Sequence, residues 1–351
     1  MTTATSKRTR VLVVDDSATV RLMLSRALAA DPRLEVVGTV GSAEEALDQL
    51  ERLAPDVMTL DIELPGMSGI DLLQKIRPLR LVPTVIVSGH SKRGARLTFE
   101  ALAAGAVDVV EKPTNGADVN AMLAEVRTKV VIASTARLGR FKQASSIAAS
   151  SPFAGEPGVF APKRGTAELL AIGASTGGPT AVQSVLEAMP ANSPPIVVAI
   201  HMPAGFTNSY AQRLNELCRL SVSEARDGDE LAPGSILVAP GGLQTRVRKR
   251  GAGFYVSVTG DERVNGHAPS VDVLFDSVAQ SAGKRAAAAI LTGMGADGAK
   301  GMLALRQTGA RTFAQDEASC VVFGMPKAAW DLGAAESLVP LDELALKLIR
   351  C

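Results

Sequence analysis

Cysteine is scarce in this chain: 351 residues include only Cys218, Cys320 and Cys351. They are widely spaced and form no C-x-x-C pair, which excludes a disulfide framework or a structural zinc site and fits a reduced compartment. An excess of charge of one sign is also missing. The net charge is +1, so the chain lacks the overall basic excess expected of a protein that binds bulk nucleic acid. No apolar run reaches the ~18 residues of a membrane-spanning helix. The polar stretch Met1–Arg10 has no signal-peptide core. A soluble, cytoplasmic protein without direct membrane insertion is therefore expected. Histidine is rare as well, with His90, His201 and His267 the only three, and this narrows any search for a general base.

What is present is enough apolar sequence for two cores: 46% of residues are hydrophobic and 21% charged, over a length comfortable for two domains. Short apolar runs alternate with amphipathic stretches. In the first half the expected strands are Val11–Val14, Leu34–Val40, Asp56–Leu60, Thr84–Val87 and Val107–Val110. Helical patterns lie between them, and one through Val119–Val131 closes the series. Five βα units with short connections imply a doubly wound α/β domain over 8–129. A Ser-, Ala-, Gly- and Pro-rich stretch follows, its charges mainly basic, and reads as a linker over 130–166. A second α/β domain is expected over 167–351, with a parallel sheet. Its strands are Leu169–Ala174, Ile196–Ile200, Ile236–Ala239, Ala287–Leu291 and Arg311–Ala314, and Phe254–Val258 forms an antiparallel hairpin with the strand before it. Its helical patterns are Ala181–Met189, Asn208–Cys218, Val271–Ala282, Gly298–Gln307, Pro326–Leu332 and Leu341–Ile349.

Ligands of open α/β sheets collect at the carboxyl ends of the strands. In the first domain these ends carry Asp15 and Asp16, Asp61, Ser88, and Glu111 with Lys112. Asp15, Asp16 and Asp61 gathered on one edge repel each other and invite a hard cation such as Mg²⁺. A phosphoryl group on Asp61 could be neutralised by Mg²⁺ and Lys112 and hydrogen-bonded by Ser88. The Lys112–Pro113 bond is a candidate cis peptide.

In the second domain, Leu169–Ala174 runs into Gly173-Ala174-Ser175-Thr176-Gly177, a G-x-S-x-G turn that would leave a serine hydroxyl exposed at a helix N-terminus. Such a turn could equally cradle a phosphate. His201 directly follows the strand Ile196–Ile200 and is the candidate base. His267 sits in a Gly/Pro-flanked loop, where solvation or substrate contact is expected. Asp297, after Ala287–Leu291, is the choice for the acid that orients the imidazole, although an Asp at that point is also a good helix cap. Asp272 and Asp316 compete for the role. Cys320 is expected to serve packing.

The segments VLVVDDS, LDIELPGMSGIDLL and GAVDVVEKP resemble response-regulator receiver domains. AIGASTGGP, HMPAGFT, APGG, PSVDVLFDSVA, LTGMGADGAKGM and AQDEASCVVFGMP resemble the catalytic domain of chemotaxis protein-glutamate methylesterases, which also deamidate glutamines. The resemblance implies a phosphoacceptor at Asp61, metal ligands at Asp15, Asp16 and Asp61, a switch hydroxyl at Ser88 and a phosphate partner at Lys112. It further implies a catalytic set of Ser175, His201 and Asp297, a turn shaped by Thr176 and an oxyanion-hole N–H from Met294. Mg²⁺ is implied for phosphorylation and no cofactor for hydrolysis. The implied partners are chemoreceptor cytoplasmic domains and a sensor histidine kinase, with the enzyme a monomer regulated by its receiver. Four positions depart from the pattern. Val109 stands where many receivers carry an aromatic switch residue; Ile200, Gln244 and Ala268 stand where Gln, His and Arg are common, and are expected to alter the rim of the catalytic set. The main rival is a non-catalytic regulator whose second domain binds receptors or another partner.

Overall fold

The computed structural model describes residues 7–79, 81–89, 92–113, 118–136 and 166–351. The chain divides into two compact units, Met1–Leu138 and Gly139–Cys351. Most of the expected linker lies outside the described residues. No described helix is long and apolar enough to cross a membrane.

The N-terminal unit has five strands, β1 (Thr9–Val14), β2 (Leu34–Val40), β3 (Val57–Leu60), β4 (Thr84–Gly89) and β5 (Asp108–Lys112). They form one parallel sheet in the order β2-β1-β3-β4-β5. Val11–Val14 and Val57–Leu60 are buried throughout, because helices cover both faces of a parallel sheet and alternation is lost. The helices are α1 (Ala18–Ala29), α2 (Ala43–Leu53), α3 (Gly69–Ile76), α4 (Lys92–Ala103) and α5 (Val119–Ser134). Ser17, Ser42 and Ser68 cap α1, α2 and α3, each accepting a backbone N–H with its hydroxyl, which satisfies donors the helix leaves free. β4 and β5 run further than expected, so Ser88 and Lys112 lie within strands. The Lys112–Pro113 bond is not cis; among the described residues the cis bond is Ala268–Pro269.

The C-terminal unit holds a seven-stranded parallel sheet: β6 (Leu169–Ala174), β7 (Ile196–Ile200), β8 (Ser221–Glu224), β9 (Ser235–Val238), β12 (Ala286–Ile290), β13 (Arg311–Gln315) and β14 (Ser337–Val339). The order is β14-β13-β12-β6-β7-β9-β8. The chain starts at β6, extends to β7 on one side and later returns to β12 on the other, so a topological switch point lies beside β6. β10 (Thr245–Arg250) and β11 (Gly253–Val258) form a separate antiparallel hairpin. The hairpin partner of Phe254–Val258 is therefore not Ile236–Ala239, which belongs to the parallel sheet. The helices are α6 (Gly178–Glu187), α7 (Ala204–Leu217), α8 (Val271–Ser281), α9 (Ala299–Gln307), α10 (Met325–Asp331) and α11 (Leu341–Ile349). On one face Val271, Leu274, Phe275 and Val278 of α8 join Leu169, Ala171, Ala288 and Ile290 in a continuous core, and this packing fixes the start of α8 beside the ends of β6 and β12.

Candidate functional site

Ser175 is the first residue after β6. Its own N–H donates to the Thr292 carbonyl (3.0 Å), and its carbonyl accepts from Gly178 N–H (2.6 Å). The turn closes through Gly177 at φ +75°, a left-handed conformation that favours glycine. The Ser175 hydroxyl thus stands at the N-terminus of α6, where the helix dipole favours negative charge.

His201 follows β7, and its N–H donates to the Ala174 carbonyl at 3.2 Å. Its Nδ1 lies 3.1 Å from Ser175 Oγ and its Nε2 lies 2.8 Å from Asp297 Oδ2. The three side chains singled out in the sequence therefore converge at the switch point. A carboxylate only accepts, so it holds the proton on Nε2 and leaves the Nδ1 lone pair facing the serine hydroxyl. In the serine protease template the two ring nitrogens have the opposite assignment.

Asp297 does not cap α9. Gly298 occupies that position at φ +92°, and both oxygens of Asp297 turn towards α8. Oδ1 accepts from Asn265 Nδ2 (2.7 Å), Ser270 Oγ (2.7 Å) and Asp272 N–H (3.3 Å), and Oδ2 accepts from Val271 N–H (2.7 Å) as well as His201. Burial pushes this carboxyl up, but the hydrogen bonds from His201, Asn265 and Ser270 prevail and hold it well below the usual carboxylate range. The N-terminus of α8 adds its dipole. The rival acids are otherwise engaged: Asp272 accepts Gly301 N–H (2.7 Å) and Asn265 Nδ2 (2.7 Å), and Asp316 accepts Ser319 N–H and Oγ–H.

Thr176 is buried and its carbonyl accepts from Thr292 Oγ1 at 3.0 Å. Met294 is half-exposed and follows Gly293, whose carbonyl accepts from Gly324 and Met325 N–H. The Met294 N–H reaches no acceptor among the described residues. At Gly293 an added Cβ would stand 2.7 Å from Ser175 Cβ and 2.5 Å from Met325 Sδ, so the backbone of one loop must pass directly against the serine. Gly293→Ala is expected to lower turnover by roughly 100-fold through misplacement of the serine, while circular dichroism shows the fold retained.

The His267 ring stacks on His201, with centroids 3.5 Å apart and planes 6° from parallel. Two of the departures from the family pattern do not form a solvent-facing rim. Ile200 is fully buried against the first turn of α6. Gln244, also fully buried, donates from Nε2 to the carbonyls of Glu262 (2.8 Å) and His267 (2.9 Å) and accepts Ser270 N–H (2.9 Å). Asn265, Ser270 and the structural task of Gln244 escaped the sequence reading. Ser270 carried a signal, a hydroxyl just before an apolar helix, but nothing local links Asn265 to a carboxylate 32 residues away. Cys320 is buried and burial pushes its thiol far up, which agrees with a packing residue.

In the N-terminal unit, Asp15, Asp16 and Asp61 bring carboxylate oxygens within 4.8 Å of one another at the switch point between β1 and β3. Lys112 Nζ lies 2.5 Å from Asp61 Oδ2 and 2.7 Å from Asp15 Oδ2. Burial pushes the Asp61 carboxyl up against the pull of Lys112. Arg21 donates to the carbonyls of Asp15 (2.7 Å) and Asp16 (2.9 Å), which steadies the β1–α1 loop. Ser88 is buried, and its hydroxyl has no hydrogen-bond partner among the described residues. An orphaned hydroxyl next to a cluster of carboxylates and one ammonium suits a hard cation and a phosphoryl oxygen. Val109 is buried in β5.

Residues 170–348 match the family described as CheB methylesterase, and residues 11–124 match the response regulator receiver domain. A protein-glutamate methylesterase/protein-glutamine glutaminase of Syntrophotalea carbinolica is 47% identical, over 98% of this chain and 97% of its own length. One of the same description from Caulobacter vibrioides is 47% identical over 97% of each. The crystal structure of the Thermotoga maritima CheB methylesterase catalytic domain is 38% identical, with a TM-score of 0.51, over 52% of this chain and 97% of that one.

Proposed function

The chain belongs to the CheB methylesterase family, with a response regulator receiver domain ahead of the methylesterase domain, and on that premise we propose that it hydrolyses glutamate γ-methyl esters, and deamidates glutamines, on chemoreceptor cytoplasmic helices by a Ser-His-Asp acyl-enzyme route. The observation that carries the proposal is the pair of contacts joining Ser175 Oγ to His201 Nδ1 at 3.1 Å and His201 Nε2 to Asp297 Oδ2 at 2.8 Å.

His201 Nδ1 takes the hydroxyl proton as Ser175 Oγ attacks the ester carbonyl. Negative charge develops on the carbonyl oxygen beside the Met294 N–H and the first turn of α6. His201 returns the proton to the departing methoxy oxygen, and methanol leaves. Water then attacks the acyl-enzyme with the same base and the same donors. An amide follows the same path with ammonia leaving.

Control belongs to the receiver. A sensor histidine kinase supplies the phosphoryl group to Asp61, and Asp15, Asp16 and Asp61 would hold Mg²⁺. Such an ion, when bound there, would supply positive charge to the phosphoryl oxygens. Lys112 contributes its ammonium, and Ser88 a hydroxyl free to turn towards the same oxygens. Phosphorylation shifts the enzyme from a restrained to an active state, a change of a few kcal/mol in the balance of the two. The site of action is the cytoplasm.

The test is methanol release from methylated receptor membranes, with and without a small-molecule phosphodonor. The wild-type chain is expected to release methanol and to be stimulated by the donor. Asp61→Asn is expected to hydrolyse at the unstimulated rate in both conditions. Equal stimulation of Asp61→Asn would remove Asp61 from the scheme.

A further inference from the structure

The loop from Glu262 to Ser270 is absent from the catalytic scheme, yet it touches two of its members. Asn265, at φ +54°, is exposed as a residue. Its amide nitrogen nonetheless reaches inward to two buried carboxylates, donating to Asp297 Oδ1 and to Asp272 Oδ2, each at 2.7 Å. An –NH₂ group has two hydrogens, and both are used. The other Asp272 oxygen is held by Gly301 N–H at the start of α9, so Asp272 is a fixed anchor. Two residues further on, His267 lies flat on the His201 ring. Gln244 holds the loop from below through the carbonyls of Glu262 and His267 and the N–H of Ser270.

We infer that Asn265 is a positioning residue for hydrolysis: its amide ties Asp297 to the anchored Asp272, and so fixes the carboxylate plane that presents Oδ2 to His201. The inference rests on reading Ser175, His201 and Asp297 as the catalytic set. Geometry supplies the reason for an amide here. The second oxygen of Asp297 also accepts Ser270 Oγ–H and the Asp272 N–H, both at the start of α8. Asn265, earlier in the same loop, adds a third donor to that oxygen and links it to a second carboxylate, which restrains rotation of the Asp297 carboxylate. Asparagine also suits the backbone, because left-handed φ is tolerated by Asn and Gly and strained in most other residues.

That last point separates the amide from the backbone. Asn265→Gly keeps the loop conformation and removes only the amide. Asn265→Asp keeps shape and size but sets a third carboxylate against two. In the full chain, Asn265→Gly is expected to lower kcat for methanol release by roughly 30-fold, the range for a lost hydrogen bond to a charged group. KM should stay within about twofold, because both amide hydrogens are directed to Asp272 and Asp297. Asn265→Asp should fall further at neutral pH through like-charge repulsion. Thermal melts run alongside report whether either variant is unfolded. Wild-type kcat in a folded Asn265→Gly, a raised KM with unchanged kcat, or Asn265→Asp as active as Asn265→Gly would each overturn the inference. Ser175→Ala assayed in parallel distinguishes the two failures. If it remains active, the catalytic reading falls with the inference; if it is dead while Asn265→Gly is unimpaired, only the role of Asn265 falls.

Discussion

Ser175→Ala is expected to abolish methanol release and covalent labelling by a fluorophosphonate probe. The expected fall in kcat is on the order of 10⁴- to 10⁶-fold, as for removal of the nucleophile in serine hydrolases. The arrangement offers no substitute. Thr176 is buried with its carbonyl committed to Thr292, and the Cys320 thiol is buried with its ionisation suppressed. His201 would retain its contact with Asp297 and have no hydroxyl to deprotonate. The fold should survive, since the hydroxyl makes one hydrogen bond and the backbone bonds of residue 175 to Thr292 and Gly178 do not depend on it. This result also decides between an enzyme and a non-catalytic regulator. A wild-type chain that binds receptors but neither releases methanol nor takes the label would be a binding module.

Asp297→Asn should be nearly as damaging to turnover, by about 10³- to 10⁴-fold, for a different reason. An amide in place of the carboxylate presents either a nitrogen or an oxygen to His201. Facing nitrogen would drive the imidazole proton onto Nδ1, where it blocks acceptance from Ser175. Facing oxygen would turn the amide nitrogen towards Asn265 Nδ2, Ser270 Oγ and the Asp272 N–H, which now donate to Oδ1. Stability should change too. The folded pKa of Asp297 is depressed, so its contribution is present above the unfolded value of about 3.9 and is lost as pH falls below it. At neutral pH the variant should therefore be less stable than wild type, by about 2 kcal/mol in denaturant titrations. The difference should shrink as pH is lowered through the range below about 4. A variant equally destabilised at every pH would show that the charge of Asp297 does not stabilise the fold.

The sequence made the central strands of both sheets plain and left the edges obscure, for one physical reason. β6, β7 and β12 are buried on both faces and read as unbroken apolar runs. β8 and β14 are the two edges of the seven-stranded sheet. Flanked on one side only, they are partly exposed and short, reading SVSE and SLV, without the run or alternation that marks a strand. β10 reads TRVRKR, with only Thr245 and Val247 buried, so cations mask its alternation. The candidate site followed the same rule. Ser175 and His201 were legible because each directly follows a buried strand. Asp297 was singled out, but its local setting pointed to a cap on α9, whereas its oxygens serve the start of α8. That choice is made by the packing of α8 on β6 and β12 and leaves no mark near residue 297. Asn265 and Gln244 were missed as supports because their partners come from other segments.

The stacking of His267 on His201 would limit how the second half of the proposed reaction proceeds. With one flat side covered at 3.5 Å and Nε2 tied to Asp297, the imidazole is restrained from swivelling out of its plane. On the proposed acyl-enzyme route the incoming water is therefore expected to enter the space the alcohol vacates, on the Nδ1 edge. Departure and attack would then share one doorway and occur in turn.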